Sequence, residues 1–159
     1  MTTTPGPSQS MERNLDVRVG IKARDELCLQ AEIGTDGCIS TFRLSGSGCP
    51  HLMVRLETIR AQMKSAVPMT IESLALPVGA DHVSILFREL FLRARSDWAP
   101  PYVDLEICHC RSVPTARVDQ AIVCGSHTIQ QIARETSAGT SCGTCRSDTE
   151  SLIRYRLST

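Results

Sequence analysis

Four cysteines carry the most pointed chemistry in this chain. Cys108 and Cys110 flank one histidine, Cys142 and Cys145 flank Gly143-Thr144, and 31 residues separate the inner two. A pair one or two residues apart cannot easily close a relaxed disulfide on itself, because that bridge demands a particular separation and twist. The same spacing readily presents two sulfurs to one metal centre. Two such pairs give four thiolates, the ligand set of an iron–sulfur cluster or of a structural zinc. Zinc knuckles usually place about two to four residues between their cysteines. Cys108-His109-Cys110 is shorter, so that arm fits zinc badly. The first expectation is a metal centre, with iron and sulfide ahead of zinc.

The elements around the cysteines read as helical. Thr115 can cap a helix running to about Cys124, Ser126 or Thr128 can cap a second to about Ser137, and Asp148 to Tyr155 can form a third. Ala138–Cys145 is a glycine-bearing loop. The expectation is a small all-helical unit with both cysteine pairs on loops beside helix ends. Gly139 and Gly143 would let the backbone approach the metal centre and turn N–H groups toward sulfur, an arrangement that helps set a reduction potential. Arg111 and Arg146 each follow a cysteine pair, placed to offset negative charge, to meet an acidic partner or simply to face water. His109 is expected to point outward.

The run ICHCRSVPTARVDQAIVCGSHTIQQIARETSAGTSCGTCRSDTESLI resembles the bacterioferritin-associated ferredoxin family, also found as the central domain of NifU proteins. Cys-x-Cys, a helix start after Val-Pro-Thr, a short second helix and Gly-x-x-Cys-Gly-x-Cys all carry the likeness. The resemblance covers about a third of the chain. It implies one [2Fe-2S] cluster held by Cys108, Cys110, Cys142 and Cys145.

Taken from its start, the chain opens with a Thr-, Pro-, Gly- and Ser-rich stretch, residues 1–14, expected to be disordered. Alternating apolar residues then mark three strands: Leu15–Ile21, Leu27–Ile33 and Ile39–Leu44, with a tight turn at Thr35-Asp36-Gly37. Leu52, Met53, Leu56, Ile59 and Met63 recur at helical steps after Pro50. A connector from Pro68 to Pro77 holds at most a half-turn at Ile71–Leu76. Asp81 can cap a second helix that turns Val83, Leu86, Phe87, Leu90 and Phe91 inward and Arg88, Arg93 and Arg95 toward water. Pro100-Pro101 breaks the pattern and sets a boundary. The expected division is therefore a tail at 1–14, an antiparallel meander with helices packed on it at 15–96, a linker at 97–106 and the cysteine-bearing unit at 107–157. The fold class is α+β.

Within the first unit, ARDELCLQAEIGTDGCISTFRLSGSGCP is similar to the U-type scaffold domain of NifU and IscU proteins. That family opens a strand with Cys-Gly-Asp, and here Ala23-Arg24-Asp25 stands in its place. Gly48-Cys49 matches the second cysteine region. His82-Val83 matches the third, with valine where cysteine would be. The resemblance implies a degenerate scaffold in which Asp25, Cys49 and His82 form a candidate vestigial site. One thiolate cannot hold a labile cluster tightly. Cys49, at a helix start, could also accept sulfur or bridge to a partner. Cys28, Cys38 and Cys124 are expected to be buried thiols.

Composition narrows the function. Lys+Arg 17 balances Asp+Glu 17, giving a formal net charge of zero and none of the basic excess that nucleic-acid binding usually needs. No apolar run approaches a membrane span, and the N-terminal residues carry no secretory pattern. Eight cysteines without an export signal point to a reducing cytoplasm. No nucleophile–base set, P-loop or dinucleotide fingerprint is visible, so the chain is not expected to be an enzyme. Two functions compete: an electron-transfer module for a partner redox enzyme, or an accessory factor in iron–sulfur cluster assembly or delivery, as the NifU-like order implies. Either requires a protein partner, with no nucleic acid and no membrane.

Overall fold

The computed structural model describes residues 12–158. The first half is built on a sheet. Strands β1 (Arg13–Ile21) and β2 (Asp25–Ile33) form an antiparallel hairpin whose last pair is Ile21 with Asp25. Its tight turn is reached with Ala23 at φ 59°. Strand β3 (Cys38–Ser47) pairs with β2, and a bulge at Glu32/Ile33 shifts the register. Val19, Ile21, Leu27, Leu29 and Ala31 sit at alternate positions and are buried, as period-two patterning requires. The two-residue strand β4 (Met69–Thr70) adds to β3, so the sheet has four strands in the order β1-β2-β3-β4. β4 lies in the stretch expected to be a connector and is too short to show any periodicity.

Helix α1 (Pro50–Ala66) begins with proline in its first turn and buries Leu52, Leu56, Ile59 and Met63. Helix α2 (His82–Ala94) is capped by Asp81, whose carboxylate accepts the Ser84 N–H at 3.0 Å. Both helices contribute to the first hydrophobic core, together with β1–β3. One expectation for α2 fails. Arg88, expected to face water, is 3% exposed. Its guanidinium donates to the backbone oxygens of Pro77, Gly79 and Arg156 at 3.1, 2.6 and 2.7 Å. The charge enters the interior because it satisfies three backbone carbonyls, those of Pro77 and Gly79 in irregular chain and that of Arg156 near a helix end.

The second half corrects the expected fold class. It is not all-helical: strands β5 (Glu106–Cys108) and β6 (Val113–Pro114) make a small antiparallel sheet. The pattern was illegible because strands of three and two residues carry no alternation. Physically, Cys108 must be extended before the chain reverses through the turn that carries Cys110, and the returning residues pair with it. Three helices complete the unit: α3 (Thr115–Val123), α4 (Ile129–Thr136) and α5 (Arg146–Leu157). Thr115 is the first residue of α3 rather than its cap. Its hydroxyl donates to the Asp104 carbonyl, and Pro114 occupies the cap position. Thr128 caps α4 in a reciprocal box with Gln131. Ile107, Val113, Val118, Ile122, Ile132, Leu152 and the thiols of Cys108 and Cys145 make a second core.

The two cores are joined by a buried charge network. Arg156 of α5 pairs with Glu89 of α2 at 2.6 Å and with Asp119 of α3. Burial opposes its charge, but the two carboxylates prevail and hold the guanidinium above its ordinary range. Trp98 lies against the same group, its ring centre 4.5 Å from the Arg156 guanidinium carbon. The Ala99 N–H donates to the Tyr155 hydroxyl at 2.8 Å. The proline-rich stretch is thereby fastened to α5.

Removing one member of such a network leaves buried charge without a partner. We predict that Arg156→Ala costs about 3 kcal/mol in urea unfolding of the cluster-loaded chain. Adding Glu89→Leu to Arg156→Met should recover at least half of that loss. An Arg156→Ala loss below about 1 kcal/mol would mean that the network contributes no more than a surface pair.

Candidate metal centre

The hairpin of β5 and β6 aims the first thiol pair. Cys108 ends β5, and Cys110 sits in the single tight turn His109–Arg111, which closes at Ser112 with φ 47°. Two residues apart on a regular strand, the side chains would share a face but diverge along it. The turn brings their sulfurs to 3.7 Å. Cys142 Sγ lies 3.4 Å from Cys110 Sγ, and Cys145 stands against Cys108. All four thiols thus meet at one place.

The second pair is aimed by a loop of left-handed turns: Ser137 at φ 69°, Gly139 at 73° and Gly143 at 77°. Glycine accepts that conformation without the penalty a Cβ brings. The guanidinium of Arg146 donates to the Gly139 carbonyl at 3.2 and 3.1 Å. That contact gives Arg146 a task in fixing the loop. Arg111 and His109 are exposed.

The surroundings favour thiolate at two of the four sulfurs, Cys108 and Cys142. Burial pushes the Cys108 thiol up, but N–H groups of Gly139 and Arg111 and the neighbouring Cys145 and Cys110 thiols outweigh it, leaving Cys108 below its ordinary value. Cys142 is brought down to about 7 by the hydroxyl and N–H of Thr144 and by Cys110. At Cys110 the Cys142 N–H favours the thiolate, yet contact with the Cys142 and Cys108 thiols and partial burial prevail and hold it up. Burial, then Cys108, holds Cys145 up as well. Sulfurs crowded this closely cannot all ionise unless a cation joins them.

The donor set is therefore four sulfurs with backbone N–H groups turned toward them and no carboxylate among them, which fits a thiolate-ligated cluster. Residues 106–154 match the family model of the BFD-like [2Fe-2S] binding domain. The cofactor is a [2Fe-2S] cluster. No curated protein and no solved structure shows significant similarity to the chain. The family match ends short of the first half, so the U-type likeness there rests on its own motifs alone.

In the [2Fe-2S] domain, Cys108 and Cys145 are 1% and 6% exposed, whereas Cys110 and Cys142 reach the surface. Held by these four thiols, a cluster would be anchored in the second core through Cys108 and Cys145, with Cys110 and Cys142 at its outer edge. Bound there, the cluster supplies one-electron chemistry.

The structure also gathers Asp25, Cys49 and His82, with one potential ligand atom from each lying within 4.8 Å of the others. Cys49 caps α1, and its Sγ is 3.2 Å from His82 Nε2. The Asp25 carboxylate accepts the Cys49 N–H at 2.8 Å. Gly48 makes this packing possible, since a Cβ there would lie 2.2 Å from Asp25 Oδ1. Of the other cysteines, Cys28 and Cys38 are half-buried, and Cys124, expected inside, is exposed. As the residue ending α3, it lies outside the helical stripe that packs. The sequence reading overlooked Arg24, which lies between Asp25 and Cys124. Its place in the Ala23-Arg24-Asp25 turn was the available signal.

Two results should follow. Anaerobically purified protein should hold about two irons and two sulfides per chain, all lost in Cys142→Ser, as read by iron and sulfide assay. Chelation should loosen 106–157 in amide exchange while β1–β3 stay protected, because two of the four expected ligands, Cys108 and Cys145, are members of the second core. Equal protection of both halves without iron would contradict the second result.

Proposed function

We propose that this chain is an electron-transfer module serving a partner redox enzyme. The observation that carries the reading is the asymmetry of the four ligands. Cys108 and Cys145 are rooted in the core, while Cys110 and Cys142 stand at the surface. A cluster held this way is retained through both oxidation states and comes close to a docked protein along the Cys110–Cys142 edge. All four donors are thiolates, and no carboxylate in the motif offers an exchangeable ligand. Catalysis then belongs to the partner, a protein rather than a nucleic acid or a membrane. Among the described residues, no helix is long and apolar enough to cross a membrane. Free thiols in such number suit a reducing compartment such as the cytoplasm.

A second reading is favoured by one observation, the convergence of Asp25, Cys49 and His82. In this reading the chain is an accessory factor in cluster assembly or delivery, its first half a degenerate U-type scaffold. A single thiolate among the three donors argues against building a cluster there.

Labelled iron separates the two. The loaded protein is mixed with an apo-ferredoxin acceptor, with and without reductant, while one-electron reduction is followed by its paramagnetic signal. We expect reversible reduction, label remaining on the chain, and no effect of Cys49→Ala on either. Rapid transfer that depends on Cys49 would overturn electron transfer and support delivery.

A further inference from the structure

The sheet of the first half has two unlike edges. Beyond β3 the edge is covered. β4 pairs with Cys38 and Ile39, and the Arg60 guanidinium donates to the Leu44 carbonyl at 3.1 and 2.8 Å. β1 lies at the opposite edge, and among the described residues no strand pairs with its outer side. Strand edges are commonly blunted by a proline, a bulge or short length. β1 has none of these: it is nine residues long, lacks proline, and its register with β2 runs unbroken from Arg13 to Ile21. On its core-facing side Val19 and Ile21 are buried, whereas Leu15 and Val17 stay only partly covered.

The other side of the strand carries Asn14, Asp16, Arg18 and Gly20 in alternation. The Asp16 and Arg18 side chains are 50% and 65% exposed and approach each other to 3.5 Å. Gln30 donates to the second Asp16 oxygen at 2.9 Å and holds the carboxylate at the sheet surface. Opposite charges two positions apart complement themselves across an antiparallel two-fold axis at the residue between them. With the axis at Val17, Asp16 of each copy stands opposite Arg18 of the other. On the core side Val17 then meets its own counterpart, and Leu15 meets Val19. Moving the axis by one residue sets Asp16 against Asp16 or Arg18 against Arg18, and like charges directly opposite destabilise a strand pair.

We propose that β1 is a self-association edge: two copies of this chain pair their β1 strands antiparallel about Val17 and merge their sheets. Main-chain hydrogen bonds along the strand supply the attraction, and the two Asp16–Arg18 pairs select the register. The contact is isologous and uses the one free β1 edge of each copy, so it closes at a dimer. It is independent of the electron-transfer reading.

The test is sedimentation equilibrium of the cluster-loaded full chain, with amide exchange read at the same concentrations. We expect a concentration-dependent dimer and slower exchange in 13–21 as the dimer fills. Asp16→Arg and Arg18→Asp, both at exposed positions, should retain the fold and the iron. Each should weaken self-association on the order of tenfold, since two attractive pairs become repulsive. Mixing the two variants should restore association, because the all-positive pair of one strand then faces the all-negative pair of the other. The double variant should dimerise on its own for the same reason. A monomer at every concentration, or a dimer that neither single variant weakens, would overturn the proposal. So would association lost in both variants and not regained on mixing. Protection of 13–21 in a monomer would assign the edge to another segment of this chain and overturn it as well.

Discussion

Four thiols meeting at one point is the constraint on which the second half of this molecule depends. Sulfurs at that distance repel as they ionise, and no side-chain packing alone would hold them together. The chain meets the constraint with backbone. A short hairpin and a tight turn bring Cys108 and Cys110 to 3.7 Å, and left-handed turns at Gly139 and Gly143 deliver the other pair with N–H groups turned toward sulfur. Cys108 and Cys145 belong at once to the group of four thiols and to the hydrophobic core. Metal binding in this unit is therefore expected to contribute to its folding.

The first half is organised differently. Its core is a sheet-and-helix layer, with fully buried Leu27, Leu29, Ile39, Leu52 and Phe87. A group of unlike polar donors gathers at the rim where the β1–β2 turn meets the starts of α1 and α2. Asp25 lies beneath Gly48, too close for any side chain there, and fixes the Cys49 amide. The result is a compact group of unlike donors beside a stable scaffold.

Between the halves the molecule relies on charge. Arg156 lies in a pocket of Glu89, Asp119 and Trp98, and Arg88 donates to the Arg156 carbonyl. Arg24 makes a lesser bridge to Cys124 at a separate place. Buried ion pairs of this sort add little net stability over apolar packing but tolerate few alternative arrangements. They suit a junction that fixes one orientation of the two halves.

The sequence by itself determined what is local. The Cys-x-Cys and Cys-x-x-Cys pairs pointed to a metal centre because two such pairs can present four sulfurs to one ion or cluster. Period-two alternation placed β1, β2 and β3, and the helical steps from Leu52 to Met63 placed α1, because each pattern follows from the geometry of one element. Tertiary structure decided the rest. Strands β4, β5 and β6 are too short to carry a period and exist only because a neighbour pairs with them. Arg88 and Arg156 are buried because carbonyls and carboxylates from distant segments receive them, which no local charge pattern could announce. Asp25, Cys49 and His82 had been aligned by resemblance, but only the folded sheet fixes their distances. The contact of Arg24 with Cys124, a hundred residues apart, depends on how two separately legible halves are docked.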